Sequence, residues 1–331
     1  METRKVQVTG GSTYTVSLPK DWATANDVSS GTTVEFHAEE DLLLLTPQRD
    51  DGRTHGELNI ESLENEELRR AVMTMYVSGF DVITLTTDRL TASQRRTIRN
   101  ATQGLVGLEV IEEMPNKMVL QDLLDSSELS IENAVTRMRL VSLTMLEDAV
   151  EALITDDDAL AQDVIERDDD VDRLWYMTSR VFRTVLRNPT SANEVGFSRE
   201  TCYDLQSSAR QLERIADHAT KIAKLALEVD ELPDNAAEPL RKLRTEASRV
   251  PETAMDALLT DDPDEAIALA SEARANIDVV DNVVRDVDAV IYEFEPQLVQ
   301  VLGLVIDSLS RTADYGTNIA ESALQKAAPH P

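Results

Sequence analysis

The chain has 331 residues, which is enough for two or three domains, and its 42% hydrophobic but only 4% aromatic content favours helix bundles over β-sandwiches. The formal net charge is −30 and no contiguous acidic block is present, so the charge indicates a halophilic, salt-rich solvent rather than an acidic interaction tail. The single cysteine, Cys202, excludes an intrachain disulfide. With no N-terminal apolar segment and no apolar run of membrane length, we expect a cytoplasmic protein that is not an integral membrane protein.

The N-terminal segment, residues 1–47, alternates apolar and polar residues as short, half-buried β-strands do. Gly10 and Gly11 mark a turn between two strands, residues 20–25 can form a helical turn, and Gly31 precedes a second hairpin. Such short strands cannot bury a core alone, because too little apolar surface is available. We therefore predict that this module pairs with a second copy, which makes the protein a homodimer or a higher even oligomer.

The same segment, KVQVTGGSTYTVSLPKDWA followed by SSGTTVEF and DLLLLTP, resembles the AbrB/SpoVT family of swapped-hairpin DNA-binding domains. The shared signs are an early glycine, an apolar-Pro-Lys step ending at Lys20, and the Gly31 turn before a hairpin. The resemblance implies that two chains interleave hairpins and present Arg4, Lys5 and Lys20 to promoter DNA. Seven acids oppose phosphate contact in this segment, so a module that only dimerises is the alternative.

The stretch after this module changes character twice. Residues 48–56 are polar and contain glycine, which predicts a linker. Residues 57–124 alternate helical periods, over 66–77 and 93–105, with short β runs, and this order predicts a small α+β middle domain. Its helices are locally basic, which we interpret as solvated faces rather than a nucleic-acid contact; the basic residues are Arg69, Arg70, Arg95, Arg96 and Arg99.

From residue 126 onward the chain is helical and repeats itself. AVEALITDD matches AMDALLTDD at six of nine positions, DDDVDRL corresponds to IDVVDNV, and ARQLERIADHATKIAKLA corresponds to IDSLSRTADYGTNIAESA. Three matched stretches in the same order indicate a duplication. The sequence therefore predicts two three-helix bundles, at residues 126–235 and 236–327.

ERDDDVDRL followed by QLERIADHATKIAK resembles the PhoU family, including its E-x-x-x-D motif at Glu213–Asp217. The resemblance covers residues 126–327 and implies an all-α tandem pair of bundles that regulates phosphate uptake. Its implied partners are phosphate ABC transporter components or phosphate-signalling proteins. A swapped-hairpin module ahead of a PhoU pair also resembles a haloarchaeal arrangement, in agreement with the acidic composition.

Paired acids on the helices suggest a metal site. Glu213 and Asp217 lie one turn apart on one helix face, and Asp169 and Asp172 lie three residues apart on another helix. Two facing helices with paired carboxylates can hold a hard or borderline cation, and the PhoU resemblance implies metal at these positions. Iron, zinc or manganese fits such a site better than calcium or magnesium, with His218 as an optional nitrogen ligand.

The second repeat keeps Asp278, Asp281 and Asp314 as candidate ligands but has Ser310 where the first repeat has Glu213. A hydroxyl brings no charge to offset the lost hydration of a dication, so we predict tighter binding in the first repeat. The alternative for all of these acids is salt bridging by neighbouring arginines, namely Arg173, Arg180, Arg210 and Arg214.

The sequence contains no P-loop, nucleophile elbow, Cys/His zinc spacing or Gly-rich dinucleotide turn, so we predict that the protein is not an enzyme. We expect a phosphate uptake regulator that binds promoter DNA, restrains phosphate transport, or does both. A dimeric protein-binding adaptor of a phosphate transporter without DNA binding is the main alternative, and a carboxylate-bridged metal enzyme is a third.

Overall fold

The computed structural model describes residues 3–11, 13–39, 42–47, 53–124, 130–188, 191–192, 195–229 and 232–329. The chain divides into two compact units, Met1–Thr54 and His55–Pro331, and the residues of each unit contact mainly one another. Residues 48–52 of the predicted linker and residues 126–129, where the helical region was predicted to start, lie outside the described residues.

The first unit consists of two antiparallel hairpins and a short helix. Strand β1 (Gln7–Thr9) pairs with β2 (Thr13–Thr15), α1 spans Lys20–Ala25, and β3 (Val34–Glu39) pairs with β4 (Leu42–Pro47). Gly10 and Gly11 turn the first hairpin with φ of 65° and 83°, the left-handed region that glycine adopts without a steric penalty. The predicted hairpins and helical turn are confirmed.

Apolar side chains of this unit face solvent. Val8 is 62% exposed, Tyr14 78% and Phe36 61%, and none of the side chains described between residues 3 and 54 is buried. Two-stranded hairpins are marginal in water unless a further element covers their apolar face. One copy of this unit therefore lacks a core of its own.

The second unit begins with a small α+β domain. Its elements are β5 (His55–Asn59), α2 (Asn65–Val77), β6 (Val82–Thr86), α3 (Ala92–Gln103), β7 (Leu108–Glu113) and β8 (Lys117–Asp122). The sheet order is β5-β6-β8-β7, in which β5 and β6 are parallel and the other pairs are antiparallel. Strand β5 begins inside the predicted linker, because its polar sequence gives no strand signal and its pairing with β6 supplies the hydrogen bonds.

One core holds this domain together. Leu68 and Val72 of α2, Ile98 of α3, and Ile83 and Leu120 of the sheet are all completely buried in the same cluster. The helix α2 makes the crossover between the parallel strands β5 and β6, as such a connection requires. The predicted α+β middle domain is therefore confirmed in its element order.

The rest of the chain is helical and forms two consecutive bundles. The first contains α4 (Ile131–Thr155), α5 (Asp158–Arg187) and α6 (Arg199–Ala226), and the second contains α7 (Asp234–Leu259), α8 (Pro263–Ala275), α9 (Ile277–Ile291) and α10 (Pro296–Ala327). The predicted tandem architecture is confirmed, with one difference: the middle helix of the second bundle is divided at Asn276, which ends α8 and begins α9. A single hydrophobic core joins both bundles.

The matching helices α6 and α10 pack against each other in antiparallel fashion. Asn318 donates to Oε1 of Gln211 at 3.3 Å, whereas Asp307, earlier in α10, lies 4.0 Å from Nζ of Lys221, later in α6. Residue numbers therefore rise along one helix as they fall along the other. A local pseudo-two-fold axis relates the two helices, and the duplicated acid motifs lie on either side of it.

Candidate functional site

Four carboxylates converge where α5 packs on α6. Glu213 and Asp217 come from α6, and Asp168 and Asp172 come from α5. Glu213 is only 8% exposed, Asp168 and Asp172 are half-buried, and Asp217 is exposed. The carboxylate cluster, as we name these four residues, therefore runs from the interior of the first bundle to its surface.

Asp168 belongs to this cluster although the sequence pattern pointed to Asp169. Asp169 is exposed, whereas Asp168 is half-buried and close enough to Asp217 and Asp172 to repel their charges. The four-residue spacing of Asp168 and Asp172 was a signal for this arrangement, but the run of three aspartates hid it. Asp169 lies at the rim, and its role as a ligand remains a prediction.

Burial and crowding shift the ionisation of the cluster. Burial, followed by repulsion from the nearby Asp217, raises the pKa of Glu213 to about 7 against the opposing charge of Arg210. Burial also raises the pKa of Asp172 to about 6, with repulsion from Asp168 and Asp217 adding to the effect. Burial also raises the pKa of Asp168, and repulsion from Asp217 adds to the effect. Burial and mutual repulsion therefore both disfavour full ionisation of the cluster.

The salt-bridge alternative explains only part of this cluster. Nη1 of Arg210 lies 2.6 Å from Oε1 of Glu213, and its guanidinium stacks over Trp175 at 5.2 Å. Oε2 of Glu213 is buried and has no hydrogen-bond partner. Of the four arginines in the salt-bridge alternative, Arg210 is the one that forms an ion pair with a cluster acid among the described residues. The guanidinium of Arg214 stacks on the ring of Tyr315 at 5.6 Å. A buried carboxylate oxygen without a partner is costly, which suits a cation ligand.

A second feature, which the sequence did not signal, is the contact between α5 and the α+β domain through Arg180. Nη1 of Arg180 donates to the carbonyl oxygens of Tyr76 at 2.8 Å and Phe80 at 2.9 Å. Its Nε donates to Asp122 at 2.9 Å and its Nη2 to Asp81 at 2.8 Å. The salt-bridge alternative would have this buried guanidinium neutralise the acid cluster, but it binds the α+β domain instead.

The second repeat does not form an equivalent cluster. Asp278, Asp281 and Asp314 are all exposed, and Asp314 lies 3.8 Å from Nη1 of Arg311. In the part of the chain that the structure describes, no group of three or more His, Cys, Asp or Glu side chains is arranged to hold a metal ion. A cation at either repeat would therefore require its carboxylates to reorient.

Comparison with known families identifies this helical region. The PhoU domain family matches residues 135–226, which hold α4, α5, α6 and the carboxylate cluster. The chain carries a PhoU domain. A second family, described as antidote-toxin recognition MazE, bacterial antitoxin, matches residues 7–53, in agreement with the predicted N-terminal module.

Individual relatives support this assignment. Two proteins named phosphate-specific transport system accessory protein PhoU homolog, from Pseudomonas aeruginosa and Pseudomonas putida, are each 28% identical over 182 residues, which is 53% of this chain and 73% and 69% of theirs. The crystal structure of PhoU from Pseudomonas aeruginosa covers 59% of this chain and 93% of its own, with a TM-score of 0.50 and 24% identity. At that identity the structural match shows the fold alone.

His218 lies beside the acid motif of the PhoU domain but contacts the second bundle. Its Nε2 is 3.2 Å from the hydroxyl of Tyr315, the corresponding position of the other repeat, and its Nδ1 is buried without a hydrogen-bond partner. Burial lowers its pKa, followed by the charge of Lys221. Its role as an optional nitrogen ligand remains a prediction.

The predicted DNA-contacting residues belong to the N-terminal unit. Arg4, Lys5 and Lys20 are all exposed there, and Lys20 is the first residue of α1. Their contact with DNA remains a prediction. In the α+β domain, by contrast, Arg95 and Arg99 form ion pairs with Glu113, as solvated faces do. Among the described residues, no helix combines the length and the apolar character that a membrane span requires.

Proposed function

We propose that this protein is an accessory regulator of phosphate transport. The observation that carries the proposal is the match of residues 135–226 to the PhoU domain family, whose relatives of this chain are named phosphate-specific transport system accessory proteins. Its proposed partners are phosphate ABC transporter components or phosphate-signalling proteins. Accessory proteins work by contact with other proteins, so we propose no enzymatic activity.

The proposed regulator acts as a homodimer through residues 1–47. The exposure of Val8, Tyr14 and Phe36 supports this step, since a second copy would cover the apolar faces that one copy leaves in water. Arg4, Lys5 and Lys20 then contact the phosphates of promoter DNA. The alternative is an adaptor in which this unit only dimerises, and it is favoured by the acidic composition of the chain.

The carboxylate cluster is proposed to hold a metal ion, with iron, zinc or manganese as the candidate cations. The unpartnered Oε2 of Glu213 fits this role, because a cation supplies the charge that Arg210 alone does not. Asp172, Glu213 and Asp217 would hold the ion, together with Asp168 or Asp169. A bound cation would supply positive charge between α5 and α6, and the protein would supply the oxygen ligands.

Promoter occupancy and phosphate uptake together test the proposed function. Cells lacking the protein would be complemented with the wild-type chain, with a chain lacking residues 1–47, and with the triple variant Arg4→Glu, Lys5→Glu, Lys20→Glu. If the protein binds DNA, the triple variant remains a dimer in light scattering at molar salt but loses promoter occupancy. If it is an adaptor, the triple variant restores normal uptake control and no chain occupies promoters.

Complementation also tests the link to phosphate. Phosphate uptake that does not differ between cells with and without the protein, at low and high external phosphate, would contradict the transport assignment. A wild-type chain that is monomeric at micromolar concentration would contradict the proposed dimer.

A further inference from the structure

A groove of about 550 Å³ runs along the surface between α4 of the first bundle and α7 of the second. Ion pairs fix the order of its two walls. Nη1 of Arg139 lies 2.6 Å from Oδ1 of Asp256. Further along α4, Oε1 of Glu147 lies 3.1 Å from Nη2 of Arg244. Residue numbers rise along α4 as they fall along α7, so the groove lies between two antiparallel helices that belong to different bundles.

The α4 wall of this groove is apolar at its centre. Leu140 is 68% exposed and lines the groove together with the half-buried Leu143. Thr136 and Thr144 lie one turn away from Leu140 on either side and also line it. A single exposed leucine needs no explanation in itself, but the internal repeat of this chain supplies a comparison.

The repeat shows that the bundle does not require leucine at the centre of this wall. When AVEALITDD is aligned with AMDALLTDD and the alignment is extended without a gap, Leu140 corresponds to Thr245 and Leu143 to Ser248. Thr245 is exposed as Leu140 is, so a polar residue satisfies the same position of the equivalent helix. The apolar centre therefore belongs to one wall alone, and it suits contact with another apolar surface.

The charge of the groove differs from that of the whole chain, which carries a formal −30. Its charged lining residues are three arginines and two glutamates: Arg137, Arg139, Arg244, Glu147 and Glu252. Arg137 is exposed on the α4 wall and takes part in none of the ion pairs among the described residues. An acidic group of an occupant can therefore pair with Arg137, on the side away from the Glu252 wall.

The walls of the groove favour a helical occupant. Both walls are helices, whose backbone groups are already paired, so an extended segment would bury its own N–H and C=O groups without partners. A helix satisfies its own backbone and packs its side chains into the groove between two others. The α4 lining from Asn133 to Glu147 is about 20 Å long, which corresponds to about four turns. A second copy of this chain fits less well, because an isologous contact would bring two cationic grooves together.

We propose that this groove is the docking site for an amphipathic helix of a partner protein, with an acidic residue one turn from an apolar residue. The apolar side chain packs on Leu140 and Leu143, and the carboxylate pairs with Arg137. This inference rests on the proposed function, because it gives the partner in phosphate transport or signalling the surface that it contacts. Since α4 and α7 come from different bundles, the docked helix contacts both bundles at once.

Site-specific photo-crosslinking of the full chain in cells tests this assignment. The photo-reactive residue p-benzoylphenylalanine replaces Thr136, an exposed residue of the groove, so that Leu140 and Arg137 are kept. Cells at low and at high external phosphate are irradiated, and mass spectrometry identifies the adduct and its crosslinked peptide. We expect an adduct with a phosphate transporter component or a phosphate-signalling protein, through a helix that carries apolar and acidic residues at this spacing.

Substitutions in the groove show whether it recognises that helix. Leu140→Glu and Arg137→Glu should each lower the adduct yield about 10-fold, as loss of a central interface residue does. The matched controls are Leu186→Glu and Arg183→Glu, which make the same changes at exposed positions of α5 outside the groove and should keep the yield. Lysine in place of the acidic residue of the partner should restore the adduct with Arg137→Glu. All four variants should unfold at the wild-type temperature, because the changed side chains are exposed.

The outcomes separate this inference from the proposed function. Three results would overturn the docking site and leave the transport assignment standing: an adduct with a second copy of this chain, an adduct yield that Leu140→Glu and Arg137→Glu do not change, or no adduct from position 136. A groove-dependent adduct with a protein unconnected to phosphate, in cells whose phosphate uptake does not depend on this chain, would support the helix-docking groove and overturn the transport assignment.

Discussion

Arg180 donates a hydrogen bond from Nε to Oδ2 of Asp122 at 2.9 Å, and this pair joins the PhoU domain to the end of strand β8. Both side chains are almost inaccessible to solvent, at 5% and 8% exposure. A buried ion pair contributes to stability only when its remaining donors and acceptors are satisfied. Here the carbonyl oxygens of Tyr76 and Phe80 satisfy Nη1, so the arginine also caps the C-terminal end of α2.

We predict that Arg180→Ala lowers the free energy of unfolding by about 3–5 kcal/mol, because it leaves Asp122 buried without a counter-charge. Urea denaturation followed by circular dichroism would measure the change. The matched control is Arg183→Ala, one turn later on α5, where the side chain is exposed and the expected change is below about 0.5 kcal/mol. Similar losses in the two variants would contradict the role given to Arg180.

Gly316 of α10 packs against the backbone of α7. A Cβ added there would lie 2.5 Å from N of Pro251 and 2.8 Å from its Cδ, so the two helices would have to separate. We predict that Gly316→Ala destabilises the protein by about 1–3 kcal/mol, as overpacking does. Gly303→Ala in the same helix meets no atom within 4 Å and should stabilise by roughly 0.5–1 kcal/mol. Thermal unfolding of both variants measures the contrast, and a gain of stability in Gly316→Ala would be incompatible with this packing.

The fold was largely predictable because its signals are local and repeated. The period of the apolar residues around Leu212 and Leu309 predicted the two long helices, and their duplication predicted the tandem bundles. The division at Asn276 was not predicted, since the residues on both sides of it continue a helical pattern. Strand β5 was missed because its pairing with β6 is a long-range contact that the polar sequence HGELN does not encode.

The candidate site was predictable only in part, for a similar reason. The spacing of Glu213 and Asp217 on one helix identified half of the cluster, but which aspartate of the DDD tract faces it depends on how α5 is rotated. That rotation depends on long-range contacts, among them those of Arg180, whose partners lie in another domain. The place of Asp168 in the cluster depends on the same rotation, so it could not be assigned from periodicity alone.

The ionisation of Glu213 makes a pH-dependent prediction for the metal-free protein. Its pKa is raised to about 7 in the folded chain, from an ordinary value of 4.5. The folded state therefore binds the proton of the Glu213 carboxyl more tightly than the unfolded state does. The stability that this proton contributes is fully present below pH 4.5 and is lost as the pH rises through 7. Glu213→Gln should reduce this loss by about 2–3 kcal/mol between pH 5 and pH 8.

Urea denaturation in the presence of a chelator, at a series of pH values, would measure this effect. The glutamine keeps an acceptor for Arg210, so the variant changes the charge more than the packing. Glu228→Gln, which alters an exposed carboxyl just after α6, serves as the control and should keep the wild-type slope. If the free energy of unfolding of Glu213→Gln changes with pH as steeply as that of the wild type, the raised pKa of Glu213 is contradicted.

The two repeats should differ in metal content. In the first repeat the buried Glu213 offers an unpartnered oxygen, whereas in the second Ser310 stands at its position and Asp314 lies near Arg311. A cation at the second repeat would have to displace that guanidinium and would bind fully hydrated carboxylates, which gain less from it.

We therefore predict that Asp217→Ala loses more bound metal than Asp314→Ala. Both variants would be purified without chelator and analysed by elemental mass spectrometry for iron, zinc and manganese, normalised to protein. Greater loss in Asp314→Ala would reverse the ranking and place the stronger site in the second bundle.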